Sequence, residues 1–428
     1  MKKVVFTICA KNYIGLAQVL GDSLKTNNPE IDFYIFVADE FENESLQIEP
    51  NILIARHNLN ISEDQWINMS FKYEITEFCT SIKPFCFSYM FNELNYEECI
   101  YFDPDIMVFS SINSIYDTLN NATFVLTPHI NTMEVQYSGT WEERKLMYSG
   151  IYNLGFIAIK NNEISNRMLN WWEERLKDRC FQNLMENYFT DQKWIDFLPG
   201  FFPNEVFISN DPGLNLAPWN FHERKIIQNN GNLYVENRVN AKYNKLENLK
   251  FVHFSGFNYK DLLKNNNVNH KNIENFSLFP DLIILFDLYV DNIRKSNMLK
   301  YIDLTYSYNY FTNKNIITNI HRKFYRRLSE DNKAVSNPFN ADGDFYKTLK
   351  RFKLVNTINV TGDKINISNV QNLNNKVKLI NLFFKLIFFI VGPSIYFTLA
   401  RTLRLYSIIE NHVFIIDKDY LKNPKLRN

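Results

Sequence analysis

The chain has 428 residues, of which 46% are hydrophobic and 22% are charged, so it can bury a large core and wholesale disorder is excluded. Its 47 Lys and Arg residues balance 47 Asp and Glu residues, which argues against a general electrostatic grip on nucleic acid, and no nucleic-acid partner is expected. The five cysteines lie in apolar segments without the spacing of disulfide or zinc sites, which predicts buried thiols and a cytoplasmic location. These are Cys9, Cys79, Cys86, Cys99 and Cys180.

Up to about residue 275, short β-rich runs alternate with longer segments of helical spacing, the pattern of βα units around a mainly parallel sheet. The apolar run in the first ten residues is too short for a signal-peptide core, so no export signal is expected there. We predict strands at Val4 to Cys9, Phe33 to Ala38, Ile52 to Ala55, Cys99 to Phe102, Phe124 to Thr127, Gly155 to Ile159 and Phe251 to Phe254. We predict helices at Ile14 to Lys25, Thr76 to Leu94 and Ser165 to Asp178. An α/β catalytic domain is therefore expected over residues 1–275.

Residues 276–428 are expected to form a mainly helical extension. Its run from Leu379 to Ala400 is long enough to span a bilayer, but Lys385 and the Gly392-Pro393 break argue against a spanning helix. From Lys376 onward nine Lys and Arg residues face three Asp and Glu residues. This bias predicts a basic amphipathic element on an anionic membrane surface. A helix packed on the catalytic domain and an oligomer interface are the alternatives.

Two carboxylates, Asp103 and Asp105, stand two residues apart directly after an apolar strand. Residues i and i+2 of an extended segment project to one face, so both carboxylates can converge on one cation. Pro104 between them stiffens the turn. Oxygen ligands of this kind suit Mn²⁺ or Mg²⁺, whose usual task beside substrate phosphates is to neutralise a diphosphate. Such a pair is weak evidence alone, but open α/β sheets bind ligands at the carboxyl ends of their strands.

Together with four further motifs, this pair resembles the nucleotide-sugar-dependent glycosyltransferases of the GT-A type α/β fold. The chain is most similar to the retaining glycogenin and lipopolysaccharide galactosyltransferase group. The five motifs occur in the family's order over residues 1 to about 260, as Lys11-Asn12-Tyr13, Asp103-Pro104-Asp105, Tyr152-Asn153-Leu154-Gly155, Asp191-Gln192 and His253-Phe254-Ser255-Gly256. The resemblance implies a Rossmann-like sheet, a nucleotide-diphosphate-sugar donor with a UDP sugar favoured, and a glycan or lipid-linked glycan acceptor.

The resemblance implies that Asp103, Asp105 and His253 are the metal ligands. His253 ends an apolar strand, where a hydrogen-bonded core histidine is the alternative. Gly256 would allow the backbone to approach the diphosphate closely. Lys83 and Lys260 are the predicted basic groups near the diphosphate, although Lys260 stands one residue later than the lysine of the family, and a solvated lysine is the alternative for Lys83.

The turn after the first strand is expected to hold the nucleotide. The positions implied are Thr7, Ala10, Asn12 and Tyr13. The Tyr13 ring suits stacking on a base and Asn12 suits hydrogen bonding to base or ribose, while helix capping and simple packing are the alternatives. Close relatives carry an acidic residue at the position of Ala10, so the identity of the base stays open.

Asn153, Asp191 and Gln192 are the predicted catalytic positions, expected to hold the donor sugar and to stabilise positive charge at its anomeric carbon. Asp191 as a helix cap is the alternative, and no nucleophile is assigned. The loop around residues 211–224 is dense in polar and aromatic groups. Its Trp219, Asn220 and His222 are predicted to bind the acceptor, with a structural turn as the alternative.

The sequence therefore predicts a metal-dependent glycosyltransferase of bacterial surface polysaccharide synthesis, and the resemblance alone implies that it retains the anomeric configuration. A sugar nucleotidyltransferase is a rival, but it would show a Gly-rich basic loop near its start, and residues 5–15 contain one glycine. A catalytically silent glycan-binding or scaffold protein with the same fold is the other rival. Metal-dependent nucleotide binding distinguishes the enzyme from the scaffold.

Overall fold

The computed structural model describes residues 2–41, 49–239, 246–265, 278–333, 335–355 and 372–427. Within these ranges the strands are β1 (Lys3–Cys9), β2 (Asp32–Val37), β3 (Ile52–Ile54), β4 (Glu98–Phe102), β5 (Ile106–Val108), β6 (Phe124–Leu126), β7 (Phe156–Lys160), β8 (Gln182–Asn183), β9 (Tyr188–Phe189), β10 (Val206–Ile208), β11 (Arg224–Asn229), β12 (Asn232–Asn237), β13 (Glu247–Asn248) and β14 (Phe251–His253).

In the first 260 residues the α-helices of the described ranges alternate with the strands. Beyond residue 260 the described secondary structure is mainly helical. They are α1 (Ile14–Asn27), α2 (Ala55–Asn58), α3 (Glu63–Lys72), α4 (Ile75–Ser81), α5 (Lys83–Asn92), α6 (Asn113–Leu119), α7 (Glu143–Ser149), α8 (Glu163–Arg179), α9 (Gln192–Ile195), α10 (Leu198–Phe201), α11 (Tyr259–Asn265), α12 (Ile283–Lys295), α13 (Met298–Tyr301), α14 (Asn319–Glu330), α15 (Asp344–Arg351), α16 (Leu373–Leu405) and α17 (Asp419–Lys422).

In the described residues a seven-stranded sheet has the order β10-β6-β7-β4-β1-β2-β3. Strand β1 pairs in parallel with β2 and β4, and β3 and β10 pair in parallel with β2 and β6. Strand β7 is antiparallel to both of its neighbours, β4 and β6. Six of the seven residues of β1 are buried, as expected of a central strand covered by helices on both faces. The predicted α/β class with a mainly parallel sheet and a helical C-terminal region is confirmed.

The chain forms two compact units, one of residues 1–62 with 75–307 and the other of residues 63–74 with 308–428. The predicted domain boundary after residue 275 falls in residues 266–277, outside the described residues, and stays a prediction. In the first unit, the core beneath the sheet includes Val5, Ile100 and Phe251.

The predicted helix from Thr76 to Leu94 is wrong in one respect, because the structure has two helices, α4 and α5, in its place. Pro84 is the physical reason. It lacks the N–H that a continuous helix needs at that position, whereas in the first turn of a new helix that N–H is dispensable. The break places Lys83 at the start of α5.

In the second unit, basic side chains of α14 hold elements together. Arg322 donates to the backbone carbonyls of Ser70, Phe71 and Tyr73 at 2.6 to 3.2 Å. Arg326 forms a buried ion pair with Glu410 at 3.1 Å. These cations therefore stabilise the fold of the unit.

Candidate functional site

The acidic pair lies in a tight turn between β4 and β5. The Ile106 N–H donates to the Asp103 carbonyl at 3.1 Å, and the Asp103 N–H donates to the carbonyl of Gly155 at 2.8 Å. The expected extended segment is thus a turn, because the fixed φ of Pro104 suits the second position of a β-turn. Both carboxylates nevertheless face the same site, and their side chains are 28% and 26% exposed.

His253 reaches the acidic pair from β14, which pairs antiparallel with β5 and sets His253 opposite Ile106. The His253 Nε2 atom lies 3.0 Å from Asp105 Oδ1 and 3.6 Å from Asp103 Oδ2. One ligand atom from each of the three residues lies within 4.8 Å of the others. The structure therefore brings the three predicted metal ligands together, and two carboxylates with one imidazole fit a hard divalent cation.

A chain of buried amides sets the orientation of the imidazole. Gln192 Oε1 accepts the Leu154 N–H at 2.9 Å, so the Asn153 Nδ2 atom, 3.2 Å away, donates to that same oxygen. The Asn153 Oδ1 atom is consequently an acceptor, and it receives the Gly155 N–H at 3.2 Å. His253 Nδ1 lies 3.2 Å from the same Oδ1 and must donate to it. Two backbone N–H groups thus assign the proton to Nδ1 and leave Nε2 to face the carboxylates.

Gly155 makes room for this imidazole. A Cβ atom at position 155 would lie 2.4 Å from His253 Cε1 and 2.6 Å from His253 Nδ1. Asn215, in a left-handed conformation at φ 54°, donates to Asn153 Oδ1 at 3.1 Å and completes the support. The roles of Gly155 and Asn215 were not predicted, although the spacing of the Asn153-Leu154-Gly155 motif was a signal for the role of Gly155.

The electrostatics of the cluster favour a cation. Burial alone lowers the pKa of His253, but the carboxylates of Asp105 and Asp103 outweigh it and raise this pKa overall. Burial raises the pKa of Asp103, against the opposing charges of Lys83 and His253. The Tyr101 hydroxyl, whose own pKa is raised by burial, donates to Asp103 Oδ1 at 2.5 Å. A divalent cation at Nε2 would displace the imidazole proton, so binding would weaken as pH falls.

Lys83 and Asp191 form a buried ion pair beside the cluster. The Lys83 Nζ atom lies 2.5 Å from Asp191 Oδ2, donates to the Leu154 carbonyl at 2.9 Å and lies 4.0 Å from the centroid of the Tyr101 ring. Thr190 donates to the other carboxylate oxygen at 3.1 Å. Asp191 stands at the N-cap position of α9, as the capping alternative expected, but in the described chain its side chain makes no capping hydrogen bond.

The three predicted catalytic side chains are all buried. Asn153 and Gln192 are engaged by the amide chain, Gln192 Nε2 also donates to the Ser149 carbonyl at 2.8 Å, and Asp191 is paired with Lys83. In this structure the three side chains therefore position the residues around them, and their predicted contact with the donor sugar stays a prediction.

The turn after β1 also lies beneath the surface. Thr7 and Ala10 are buried, and Tyr13 packs edge-on against Tyr259 with ring centroids 5.0 Å apart. Among the described residues, Thr7 Oγ1 and Asn12 Oδ1 are buried without a hydrogen-bond partner. Two unpartnered polar atoms under one turn are compatible with the predicted nucleotide contact, which stays a prediction.

Asp39 is a buried acid that the sequence did not single out. It follows β2, and its two carboxylate oxygens accept the backbone N–H groups of Lys11 at 2.8 Å and Ser307 at 3.1 Å. Burial raises its pKa to about 6. The Lys11 ammonium donates to the Glu40 carbonyl at 2.7 Å. An acid directly after an apolar strand was the available signal.

The predicted acceptor residues lie in the interior. Trp219 is 2% exposed and Asn220 is 0% exposed. Asn220 accepts the Ala217 N–H at 2.9 Å and donates to the carbonyls of His129 and Asn215. The structural-turn alternative therefore describes Asn220 better, because its amide is fully used inside the fold.

His222 is buried, whereas the predicted donor-site residues Gly256 and Lys260 are exposed. His222 is buried beside Glu134, with Nε2 3.7 Å from the carboxylate, and burial lowers the pKa of its imidazole. Gly256 is exposed at φ 83°, a left-handed conformation that favours glycine, and Lys260 is exposed in α11. A ligand at the cluster could meet Gly256 and Lys260 from solvent, whereas His222 lies below the surface.

No protein-family model matches the chain. The uncharacterized protein YfnF of Bacillus subtilis (strain 168) is 23% identical over 262 residues, which is 60% of this chain and 82% of YfnF. A solved active-site mutant of the galactosyltransferase LgtC is 15% identical with a TM-score of 0.39, over 69% of this chain and 96% of LgtC. The glycosyltransferase GlyE of Streptococcus pneumoniae TIGR4 is 12% identical with a TM-score of 0.37, over 73% of this chain and 67% of GlyE.

These solved structures are glycosyltransferases, the class that the five sequence motifs resemble. At TM-scores below 0.5 the likeness is loose, so the function is inferred below from the residues of this chain.

Proposed function

We propose that the chain is a metal-dependent glycosyltransferase of the GT-A type, which transfers a sugar from a nucleotide-diphosphate donor to a hydroxyl of a glycan or lipid-linked glycan. The observation that carries this proposal is the cluster of Asp103, Asp105 and His253, with ligand atoms within 4.8 Å and Nε2 aimed by Asn153. It lies next to the carboxyl end of β4 in a mainly parallel sheet, where such sheets bind nucleotides.

Each residue has a proposed task. The carboxylates of Asp103 and Asp105 and the Nε2 atom of His253 would hold Mn²⁺ or Mg²⁺, which when bound neutralises the diphosphate leaving group. Asn153 holds the proton on Nδ1 of His253, and therefore acts on the reaction only through that imidazole. Tyr101 donates to one oxygen of Asp103 and fixes the carboxylate for the cation.

The proposed place of the donor rests on the order of the strands in the sheet. We propose that the nucleotide lies over the turn containing Asn12 and Tyr13, since that turn follows β1, a strand adjacent to β4. A UDP sugar is the favoured donor, and retention of anomeric configuration is proposed from the resemblance of the five motifs to a retaining group. Gly256 and Lys260 are proposed to contact the diphosphate from the exposed side.

We also propose that the protein works in the cytoplasm, at the inner face of a bacterial membrane, in surface polysaccharide synthesis. The polar site and the five thiols among the first 180 residues support a reducing compartment. The apolar helix α16 supports contact with a membrane, where a lipid-linked acceptor would be found.

The decisive experiment is hydrolysis and transfer across a panel of nucleotide sugars with Mn²⁺, Mg²⁺ or EDTA. Metal-dependent turnover of one donor would establish the reaction and identify base and sugar together. Metal-dependent binding of a nucleotide sugar without turnover would indicate a missing acceptor. Absence of both binding and turnover with every donor would refute the proposal and favour the silent scaffold.

A further inference from the structure

Helix α16 is interrupted at its centre. Gly392 has φ 74° and ψ 167°, a conformation that only glycine adopts readily, and Pro393 follows it. The helix therefore consists of two arms, residues 373–391 and 393–405. Pro393 stands at the first position of the second arm, where its missing N–H costs nothing.

Ring contacts show that the second arm folds back on the first. The ring centroids of Phe384 and Tyr396 lie 6.3 Å apart, and those of Phe388 and Tyr396 lie 5.3 Å apart. In a straight helix, twelve residues would separate Phe384 from Tyr396 by about 18 Å along the axis. The two arms are thus a helical hairpin whose tip is the Gly392-Pro393 pair.

The outer surface of this hairpin is apolar. Among the residues that the structure describes, α16 contributes none that is buried, although its most apolar window has a mean hydropathy of 1.9. Side chains more than half exposed occur on both arms, including Leu379, Leu382, Phe389, Ile390, Ile395 and Phe397. An exposed apolar surface on this scale requires a covering partner.

The charges identify that partner as an anionic lipid surface. From residue 372 to residue 409 the sequence has no Asp or Glu, and its cations are Lys376, Lys378, Lys385, Arg401 and Arg404. Because the chain reverses at Gly392, the cations before Leu379 and those after Ala400 lie at the same, open end of the hairpin. Cations at the open end suit anionic headgroups, while the apolar tip suits hydrocarbon.

The dimensions fit one leaflet. From Gly392 the second arm rises about 14 Å to Arg401 and the first arm rises about 21 Å to Lys378, so both arms are shorter than a hydrocarbon core of about 30 Å. The Thr398 and Thr402 hydroxyls donate to the carbonyls of Ser394 and Thr398 at 2.9 and 3.0 Å, so these hydroxyls need no water. Lys385 lies about 10 Å from the tip, and its long side chain can extend toward the headgroups.

We propose that α16 inserts into one leaflet of an anionic bilayer as a re-entrant hairpin, so that the segments before and after it stay on the same side of the membrane. This goes beyond peripheral contact, and it excludes a spanning helix. The hairpin is inferred independently of the sugar-transfer reaction, so its failure would leave that reaction untouched.

The test uses the full chain with vesicles of phosphatidylethanolamine and phosphatidylglycerol. Single cysteines are introduced by Asn375→Cys, Ser394→Cys and Ser407→Cys, and an impermeant maleimide is added to vesicle-bound protein before and after detergent. The unsubstituted chain gives the background from its five native thiols. The expected pattern is labelling at 375 and 407 without detergent, and at 394 only after detergent.

Other patterns would overturn the proposal. Protection at 407 until detergent is added would mean a spanning helix, and labelling at all three positions would mean surface contact alone. Failure to float with the vesicles, together with self-association in their absence, would mean that a second copy covers the hairpin. Leu386→Asp with Phe389→Asp is expected to abolish flotation, whereas the control Met133→Asp with Val135→Asp, at fully exposed positions outside α16, should leave it unchanged.

Discussion

The two sides of the His253 imidazole differ in how their polar atoms are used. On the Nε2 side, the carboxylates of Asp103 and Asp105 are about a quarter exposed and face one another. On the Nδ1 side, Asn153 and Gln192 are buried, and their amides are engaged with each other and with backbone groups. The carboxylates on the Nε2 side are therefore accessible to a ligand, whereas the amides on the Nδ1 side are engaged in holding the imidazole in place. The variants that test this difference change the carboxylates, the buried ion pair beside them, the separately buried Asp39, and Gly155, where the two sides meet.

The largest effect is expected from removing the two negative charges on the Nε2 side of His253. Asp103→Asn with Asp105→Asn removes both negative charges while preserving size, so the cation loses its main ligands. We expect transfer to fall by about 1000-fold or more, since catalysis depends on charge stabilisation at the leaving group. Mn²⁺ binding by calorimetry should disappear while the circular dichroism spectrum is retained.

The exposed Glu142→Gln variant is the matched control and should keep both properties. Undiminished metal binding by the double variant would show that the cation binds elsewhere. The Nε2 side of His253 would then not be a ligand site.

Changes to the buried ion pair of Lys83 and Asp191 are expected to lower the stability of the fold. Lys83→Met leaves the Asp191 carboxylate buried without its cation and should lower the free energy of unfolding by about 3–5 kcal/mol. Adding Asp191→Asn in the same chain removes that stranded charge, so the double variant should be less destabilised than the two single losses added together. Denaturant titration of all three variants checks this. Strict additivity would mean that the 2.5 Å contact carries little coupling.

Asp39 sharpens the comparison because it is a carboxylate that is wholly buried. Its pKa is about 6 in the folded chain, against about 3.9 for an unfolded aspartate. Between these values the folded chain binds more protons than the unfolded chain, so stability falls as pH rises from about 4 to about 6. The expected difference is about 3 kcal/mol.

Asp39→Asn should flatten this part of the pH profile, as measured by chemical denaturation at each pH. The variant keeps only one acceptor for the two N–H groups, so it starts from a lower stability. An unchanged slope would show that another group titrates in this range.

The sequence predicted the sheet and the cluster well, because both follow from local patterns. Apolar runs mark β1, β2, β4 and β14, and the acidic pair and His253 stand at strand ends. The break between α4 and α5 was missed although Pro84 was visible, since helical spacing continues on both sides of it. The roles of Asn215 and Asp39 could not be read locally, because their partners lie far away in the chain.

The acceptor prediction, which stays untested, came from a different kind of pattern. Trp219 and Asn220 were singled out because a loop rich in polar and aromatic groups is typical of a binding surface. Burial depends on the packing of the whole unit, and that packing turned both side chains inward. A pattern of residue types can therefore identify ligands at a strand end more securely than it identifies exposure in a loop.

The smallest and most specific effect is expected at Gly155, where the two sides meet. A methyl group there would lie 2.4 Å from His253 Cε1 and 2.9 Å from Asn153 Oδ1, so Gly155→Ala is expected to displace the imidazole and its amide support while both carboxylates are kept. Misplacing a metal ligand through its support typically weakens metal affinity by about 10–100-fold. Gly200→Ala is the matched control, because a methyl group at that position meets nothing within 4 Å. If His253 is a ligand, Gly155→Ala lowers Mn²⁺ affinity and Gly200→Ala does not. Equal affinity in both variants would mean that the carboxylates hold the cation alone and that His253 is a hydrogen-bonded residue of the core.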